Sequence, residues 1–108
     1  MIESADAVIS VCEMNHSPLW ANKLPKDGNM KDFLKDDILG KRRQDLPTYY
    51  RINGGIYICK TRKLLEEETY YIKDNIYAYK MDRMVSLDID DKDDFEISEI
   101  IAKSRYTN

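Results

Sequence analysis

The residues best suited to chemistry lie along one predicted strand, residues 51–59. With a side-chain period of two, Arg51, Asn53, Gly55 and Tyr57 share one face of this strand. The side chains predicted to point the other way, toward a core, are Ile52, Ile56 and Ile58. Because glycine lets a ligand approach the backbone closely, the polar face suits an anion with polar substituents. The alternative is an exposed strand whose arginine is simply solvated.

A pair of carboxylates is the second candidate. In the segment Val85–Asp90, an alternating pattern predicts a strand with Val85, Leu87 and Ile89 toward the core. Asp88 and Asp90 would then share the opposite face, roughly 7 Å apart along the strand. That spacing would allow both to serve one divalent cation, directly or through water.

A calcium loop is a competing interpretation of the same acidic segment. Asp88, Asp90 and Glu99 match positions one, three and twelve of an EF-hand loop. Position five, however, is Lys92, and position six is Asp93 where the loop needs glycine for its turn. We therefore reject a calcium loop.

The composition narrows the class of protein. The 108 residues are 43% hydrophobic and 34% charged, which indicates one small domain or part of a larger one. A net charge of -3 argues against a nucleic-acid partner. No apolar run approaches the roughly 20 residues that a membrane helix needs, and we expect no secretory signal. These features predict a cytoplasmic protein with no membrane partner.

Cysteine and histidine usage fits this interpretation. Cys12 and Cys59 are isolated in or beside apolar runs, which predicts buried thiols and not a disulfide or metal pair. His16 is the one histidine, so a zinc site built on histidine and cysteine is not expected.

Five further elements would hold the candidate residues. Ala5 to Cys12 predicts a buried strand and Ile76 to Met81 another strand, with a short extended piece over residues 69–72. Thr61 predicts a helix N-cap, with Leu64 and Leu65 on the buried side. Asp91 predicts the cap of a C-terminal helix. The buried stripe of that helix would be Ile97, Ile100 and Ile101.

The segment of residues 18–46 is polar and irregular, but it contains several large apolar side chains. These are Trp20, Leu24, Phe33 and Leu34. A long arm that packs on another subunit would explain them, and so would an ordinary loop packed on its own domain.

Three motifs in this order resemble the C-terminal half of the acylneuraminate cytidylyltransferases, including relatives that act on legionaminic or pseudaminic acid. The motifs are HSPLW (16–20), RRQDLPTYYRINGGIY (42–57) and SLDIDD (86–91). The resemblance extends from about Ala5 to Lys103. It implies an α/β fold, the C-terminal portion of a doubly wound nucleotidyltransferase sheet, with an extended dimerisation arm. Residues 1–108 would form a single partial domain, with a core strand and loop (5–17), the arm (18–46) and a sugar- and metal-site half (47–103).

The resemblance also implies an activity. Such enzymes transfer CMP from CTP to a nine-carbon 2-keto acid sugar and release pyrophosphate. By motif, Asp88 and Asp90 would be catalytic and bind Mg²⁺. The substrate-binding residues would be Arg43, Arg51, Asn53, Tyr57, Tyr70 and Tyr71. The arm would make the protein a homodimer and bring Arg43 to the neighbouring subunit.

Two departures from the family pattern qualify this assignment. Trp20 stands where some sialic acid enzymes carry a lysine of the sugar site, which leaves legionaminic-type sugars open. The N-terminal half that binds the nucleotide is absent, and no glycine-rich phosphate loop replaces it. We therefore expect the isolated chain to be inactive. The alternative is a non-catalytic dimerisation module derived from the same family.

Loss of the N-terminal half has a structural consequence. We expect the first strand to present an unpaired edge together with exposed apolar surface, which would favour association or strand exchange.

Overall fold

The computed structural model describes residues 2–106 and separates into two compact units. The first unit contains the N-terminal residues through Glu13 and the chain from Arg51 onward, and the second contains Met14–Tyr50. The first unit holds nearly all the regular structure. No helix among the described residues is long and apolar enough to cross a membrane.

A three-stranded sheet forms the centre of the first unit. Its strands are β1 (Ala7–Glu13), β2 (Tyr50–Cys59) and β3 (Ile76–Met81), in the order β2-β1-β3. β1 and β3 are parallel, from Ala7 beside Ile76 to Cys12 beside Met81. β2 runs antiparallel to β1, since Lys60 N donates to Asp6 O at the end of β2, where β1 begins. The sheet is therefore mixed.

Two helices and four short 3₁₀ turns complete the regular structure of residues 2–106. The helices are α1 (Thr61–Glu67) and α2 (Lys92–Tyr106). The 3₁₀ turns are Ile2–Ser4, Pro18–Trp20, Arg43–Asp45 and Arg83–Val85. Together these elements make a small α/β domain. A doubly wound nucleotidyltransferase sheet and a dimerisation arm stay predictions.

The core is built on β1, as its apolar sequence predicts. Ala7, Ile9 and Cys12 are buried, and the Cys12 thiol is free. Cys59 is also free but only partly buried. The expectation that the first strand would present an unpaired edge is wrong, because β1 is the central strand and the sheet edges fall on β2 and β3.

The predicted faces of β2 are reversed in its first half. Asn53 is buried, at 6% exposure, whereas Ile52 is exposed. In the second half, Ile58 is exposed as well, although it was predicted to face the core. The alternation shifts at Gly54, which has a φ of +74°. Beyond it, the Ile56 amide donates to the Ser10 side chain at 2.7 Å. A left-handed residue inside a strand interrupts the regular alternation of side chains.

The predicted strand over Val85–Asp90 does not form. Arg83–Val85 is a 3₁₀ turn, and residues 86–90 have no regular structure. Leu87 and Ile89 are exposed, and it is Ser86 that is buried. Alternation predicts a strand only where a neighbour offers a ladder of hydrogen bonds, and residues 86–90 join no sheet. Residues 69–71 likewise form bends, and the buried Ile72 has no regular structure.

The helices begin close to their predicted positions but lack their predicted buried faces. In α1 the cap is Lys60, not Thr61, and Leu65 is 73% exposed. In α2 the Asp91 cap is confirmed, because its carboxylate accepts from the Asp94 amide at 2.8 Å. Ile97 and Ile100 are exposed, the latter at 68%. Both stripes are apolar in sequence, but no described residue of either helix is buried.

The second unit is mostly irregular. It is held by local hydrogen bonds, such as that from Asn22 Nδ2 to the Phe33 carbonyl at 3.1 Å. Ile38 is its buried apolar residue, whereas Leu24, Met30 and Leu39 are exposed.

Candidate functional site

Arg51 and Asp88 form a charged pair at the surface of the first unit. Arg51 Nη1 lies 3.6 Å from Asp88 Oδ2, and Arg51 Nη2 donates to the Ser86 carbonyl at 2.8 Å. β2 supplies the arginine, and the irregular segment after the fourth 3₁₀ turn supplies the aspartate. Because the Asp88 side chain is 60% exposed, the pair remains open to a ligand.

A cluster of three tyrosines lies beside this pair. The Tyr57 ring centroid is 5.9 Å from that of Tyr70 and 6.3 Å from that of Tyr71, and the second contact is edge-on. Tyr57 comes from β2, and the other two come from the bends after α1. The structure thus brings Tyr57, predicted on the sugar-facing strand, together with the predicted pair Tyr70 and Tyr71. All three are exposed, so their rings offer an apolar surface to a ligand.

The electrostatics connect the tyrosine cluster to the charged pair. A hydrogen bond to the Tyr71 side chain is the main cause that raises the pKa of Tyr57 above its usual range. Partial desolvation and the nearby charges of Tyr71 and Asp88 raise this pKa further. The charge of Asp88 therefore acts on Tyr57, and the Tyr57 hydroxyl stays protonated near neutral pH.

Asn53 lies behind this surface. Its Oδ1 accepts from the Ser10 hydroxyl and from the Gly55 amide, at 2.5 and 3.1 Å. Its Nδ2 donates to Ser86 Oγ at 2.9 Å and to Met81 Sδ at 3.4 Å. The prediction that Asn53 contacts a substrate is untested, but its side chain is directed inward here.

The donor set at Asp88 and Asp90 fits Mg²⁺ in its chemistry. Mg²⁺ prefers oxygen ligands and is often held by one or two carboxylates, with substrate phosphates and water completing its shell. Both residues are exposed, and Asp90 lies just before the cap of α2. The part of the chain that the structure describes contains no group of three or more potential metal ligands. The strand spacing of roughly 7 Å that suggested this pair does not apply, because residues 86–90 are irregular.

Arg43 belongs to the second unit. It opens the 3₁₀ turn Arg43–Asp45, and its Nη2 donates to Asn15 Oδ1 at 3.5 Å. Its role toward a substrate or a neighbouring subunit stays a prediction.

Sequence reasoning missed two residues of this site, Ser10 and Ser86. Both are buried and both contact Asn53. The available signal was a lone hydroxyl at position 10 within an otherwise apolar strand, since a buried polar group needs a partner.

The fold is a small α/β domain, and its exposed candidate site places an arginine–aspartate pair beside three tyrosines. No family model matches the chain. Among curated proteins, it is 37% identical over 90 residues to an N-acylneuraminate cytidylyltransferase of Streptococcus agalactiae, covering 83% of this chain and 21% of that protein. It is 26% identical over 99 residues to the CMP-N,N'-diacetyllegionaminic acid synthase of Legionella pneumophila, covering 86% and 40%.

A third relative is the post-translational flagellin modification protein B of Campylobacter coli, 35% identical over 63 residues, covering 58% of this chain and 26% of that protein. These matches show that the chain is related to the acylneuraminate cytidylyltransferases, as the three motifs predicted. It spans about a fifth of the length of the streptococcal enzymes it matches.

Proposed function

We propose that this chain is the acid-sugar and metal side of a cytidylyltransferase that transfers CMP from CTP to a nine-carbon 2-keto acid sugar and releases pyrophosphate. The observation that carries the proposal is the Arg51–Asp88 pair beside the tyrosine cluster. The names of the relatives support the same reaction class.

Each part of the site has a task in this reaction. The planar guanidinium of Arg51 suits the sugar carboxylate, because its paired N–H groups match two carboxylate oxygens. The rings of Tyr70 and Tyr71 suit the methyl group of an N-acyl substituent. Asp88 and Asp90 would hold Mg²⁺, which when bound supplies positive charge to the phosphates and lowers the pKa of the sugar hydroxyl.

Before substrate binds, the pairing of Arg51 with Asp88 neutralises charge at the site. An unpaired carboxylate beside Tyr57 would repel an acid sugar, and the guanidinium offsets that charge. A cation bound by Asp88 would take over this neutralisation and leave Nη1 of Arg51 available to the sugar.

A chimera tests the function directly. The 90 matched residues of the Streptococcus agalactiae enzyme would be replaced by those of this chain, and CMP transfer measured with Mg²⁺, CTP and either sialic or legionaminic acid. We expect activity that is lost when Arg51 is changed to Met, which keeps the apolar stem without the charge. An inactive chimera that folds and binds CTP would contradict the proposal.

The isolated chain provides the complementary test. We expect it to bind an acid sugar weakly in a calorimetric titration and to transfer no CMP, because the groups that hold CTP lie elsewhere. Turnover of CTP by the isolated chain would show that this division of tasks is wrong. Absence of any sugar binding would favour the non-catalytic dimerisation module.

We also propose that the protein is a homodimer in which residues 18–46 contact the partner subunit and Arg43 serves its site. Sedimentation velocity at micromolar concentration tests this arrangement. A monomer at all accessible concentrations would exclude it.

A further inference from the structure

We infer that Ser10, Asn53 and Ser86 form a hydrogen-bond relay that positions Arg51 and Asp88, and that Asn53 is a positioning residue and not a sugar ligand. The relay runs from the central strand β1, through β2, to the segment that carries the acidic pair. The consequence of this relay for catalysis rests on the proposed function. The existence of the relay does not depend on that function.

The direction of each hydrogen bond in the relay is determined by groups that can only donate or only accept. The Ile56 amide can only donate, and it donates to Ser10 Oγ at 2.7 Å. Asn53 Oδ1 can only accept, so the Ser10 hydroxyl directs its own hydrogen to that oxygen. The Gly55 amide donates to the same oxygen at 3.1 Å, which identifies that atom of the Asn53 side chain as the oxygen.

The second half of the relay follows from the first. With Oδ1 assigned, Nδ2 of Asn53 donates to Ser86 Oγ at 2.9 Å. The Ser86 hydroxyl then donates to the Asp82 carbonyl at 2.6 Å. Each hydroxyl accepts one hydrogen bond and donates one, so no member can reverse without leaving a buried group unpaired.

Asn53 has no capacity left for a substrate. Its carbonyl oxygen accepts two hydrogen bonds, and both hydrogens of its amide are donated, the second one weakly to Met81 Sδ. At 6% exposure the side chain also lies out of reach of solvent. A sugar could bind Asn53 only by displacing one of these partners, of which Ser10 and Ser86 are themselves buried.

Ser86 is the point at which the relay reaches the site. Its hydroxyl is held by Asn53 and Asp82, and its carbonyl accepts from Arg51 Nη2 at 2.8 Å. Asp88 lies two residues further along and pairs with the same guanidinium. Since residues 86–90 have no regular structure, these side-chain bonds substitute for the ladder that would fix a strand.

The test uses the 108-residue chain and nuclear magnetic resonance of side-chain groups. In the unchanged chain, the Asn53 side-chain amide should exchange with solvent at least about tenfold more slowly than that of the exposed Asn22. Ser10→Ala removes a group that lies three hydrogen bonds from Arg51. We expect it to accelerate Asn53 exchange and to shift both the Arg51 side-chain N–H and the Asp88 carboxyl resonances.

The matched control is Ser104→Ala, since the exposed Ser104 hydroxyl makes one local bond to the Ile101 carbonyl at 3.0 Å. It should change none of these signals. The amides paired between β1 and β3, such as those near Val8 and Tyr77, report that the sheet is intact. If Ser10→Ala disrupts the sheet, Ser86→Ala tests the same relay from its other end, with Asn53 exchange and the Asp88 signal as readouts.

Unchanged Arg51 and Asp88 signals in a folded Ser10→Ala or Ser86→Ala chain would overturn the relay. Titration with N-acetylneuraminic acid then separates the two roles of Asn53. A positioning residue keeps its side-chain amide shift while Arg51 responds, whereas a direct ligand responds as Arg51 does. If neither responds, the proposed function fails for this sugar, and the variant data still decide the relay.

Discussion

Asp88 is the residue on which the metal assignment depends. We predict that Asp88→Asn in the chimeric enzyme lowers kcat by about 100-fold or more, because loss of a cation ligand removes several kcal/mol of transition-state stabilisation. Steady-state kinetics at saturating CTP and Mg²⁺ measure this effect. Asp93→Asn is the matched control, since Asp93 lies in the exposed first turn of α2. Equal reductions of kcat in the two variants would show that Asp88 has no special role in catalysis.

Tyr57 offers a test that needs no substrate. The Tyr71 side chain raises the pKa of Tyr57 by hydrogen bonding to it, so Tyr71→Phe should lower that pKa toward its usual value near 10. Titration of the Tyr57 ring carbon by nuclear magnetic resonance measures the shift. Tyr79→Phe in β3 alters an exposed tyrosine of another element and should leave Tyr57 unchanged. If the pKa of Tyr57 does not fall in the Tyr71→Phe variant, the two rings are not coupled in solution.

At the residue scale, the sequence indicated the side chains that are proposed to contact a ligand. It did not indicate the buried side chains that position them. Arg51, Asp88 and Tyr57 were identifiable because charge and phenol chemistry are visible in the residue type. Ser10 and Ser86 were not identifiable, because the residue type alone does not show whether a serine is solvated or buried. Only the fold shows that both contact Asn53.

The end of α1 contains a backbone feature that a substitution can test. Glu68 follows the helix with a φ of +57°, a left-handed conformation that costs a residue with a Cβ roughly 1 kcal/mol. Glu68→Gly should therefore raise the free energy of unfolding by about 0.5–1 kcal/mol in urea denaturation. Glu66→Gly is the control, because a glycine inside the helix should lower the free energy of unfolding by about 1 kcal/mol. A loss of stability in both variants would show that Glu68 is not left-handed in solution.

At the element scale, periodicity located the strands and the second helix but assigned several faces wrongly. β3 was predicted over Ile76–Met81 and forms there. Hydrophobic alternation in Val85–Asp90 predicted a strand that does not form, because alternation is local whereas strand pairing depends on a neighbour. The faces of β2 could not be predicted either, since the left-handed conformation of Gly54 and the bond from the Ile56 amide to the Ser10 hydroxyl are features of the fold.

The stability of the first unit should respond to pH through one ion pair. Asp6 precedes β1 and Lys60 follows β2, and Lys60 Nζ lies 3.0 Å from Asp6 Oδ1. Hydrogen bonding to Lys60 is the main cause that lowers the pKa of Asp6, followed by hydrogen bonding to Asn75. A carboxyl whose pKa is lower in the folded state contributes stability above its unfolded pKa, near 3.9, and loses it as pH falls through the folded pKa.

Asp6→Asn should therefore reduce the midpoint of urea unfolding above about pH 5, and the difference from the unchanged chain should narrow as pH falls below about 4. Unfolding curves at a series of pH values measure this difference. Asp74→Asn serves as the control for loss of one exposed acidic residue. A difference independent of pH would indicate that the carboxylate charge is not involved.

At the scale of the whole molecule, the exposed apolar surface of both helices was not predicted from their patterns. An amphipathic sequence predicts that a face is buried, but it cannot say which chain buries it. The relatives are several times longer than the matched segment, which agrees with a larger fold around these residues. The apolar stripe of α2 is therefore compatible with the exposure of Ile97 and Ile100 in this structure.

The parallel pairing of β1 with β3 also has a consequence for synthesis. Ala7 pairs with Ile76, so β1 leaves the ribosome 69 residues before its partner does. At 5–20 residues per second, translation of that interval takes about 3–14 s, far longer than a hairpin needs to form. During this time β2 is the one strand among residues 2–106 that can already pair with β1, and the edge of β1 that later meets β3 stays uncovered by it. Synonymous codons that slow translation between residues 59 and 76 would prolong that exposure.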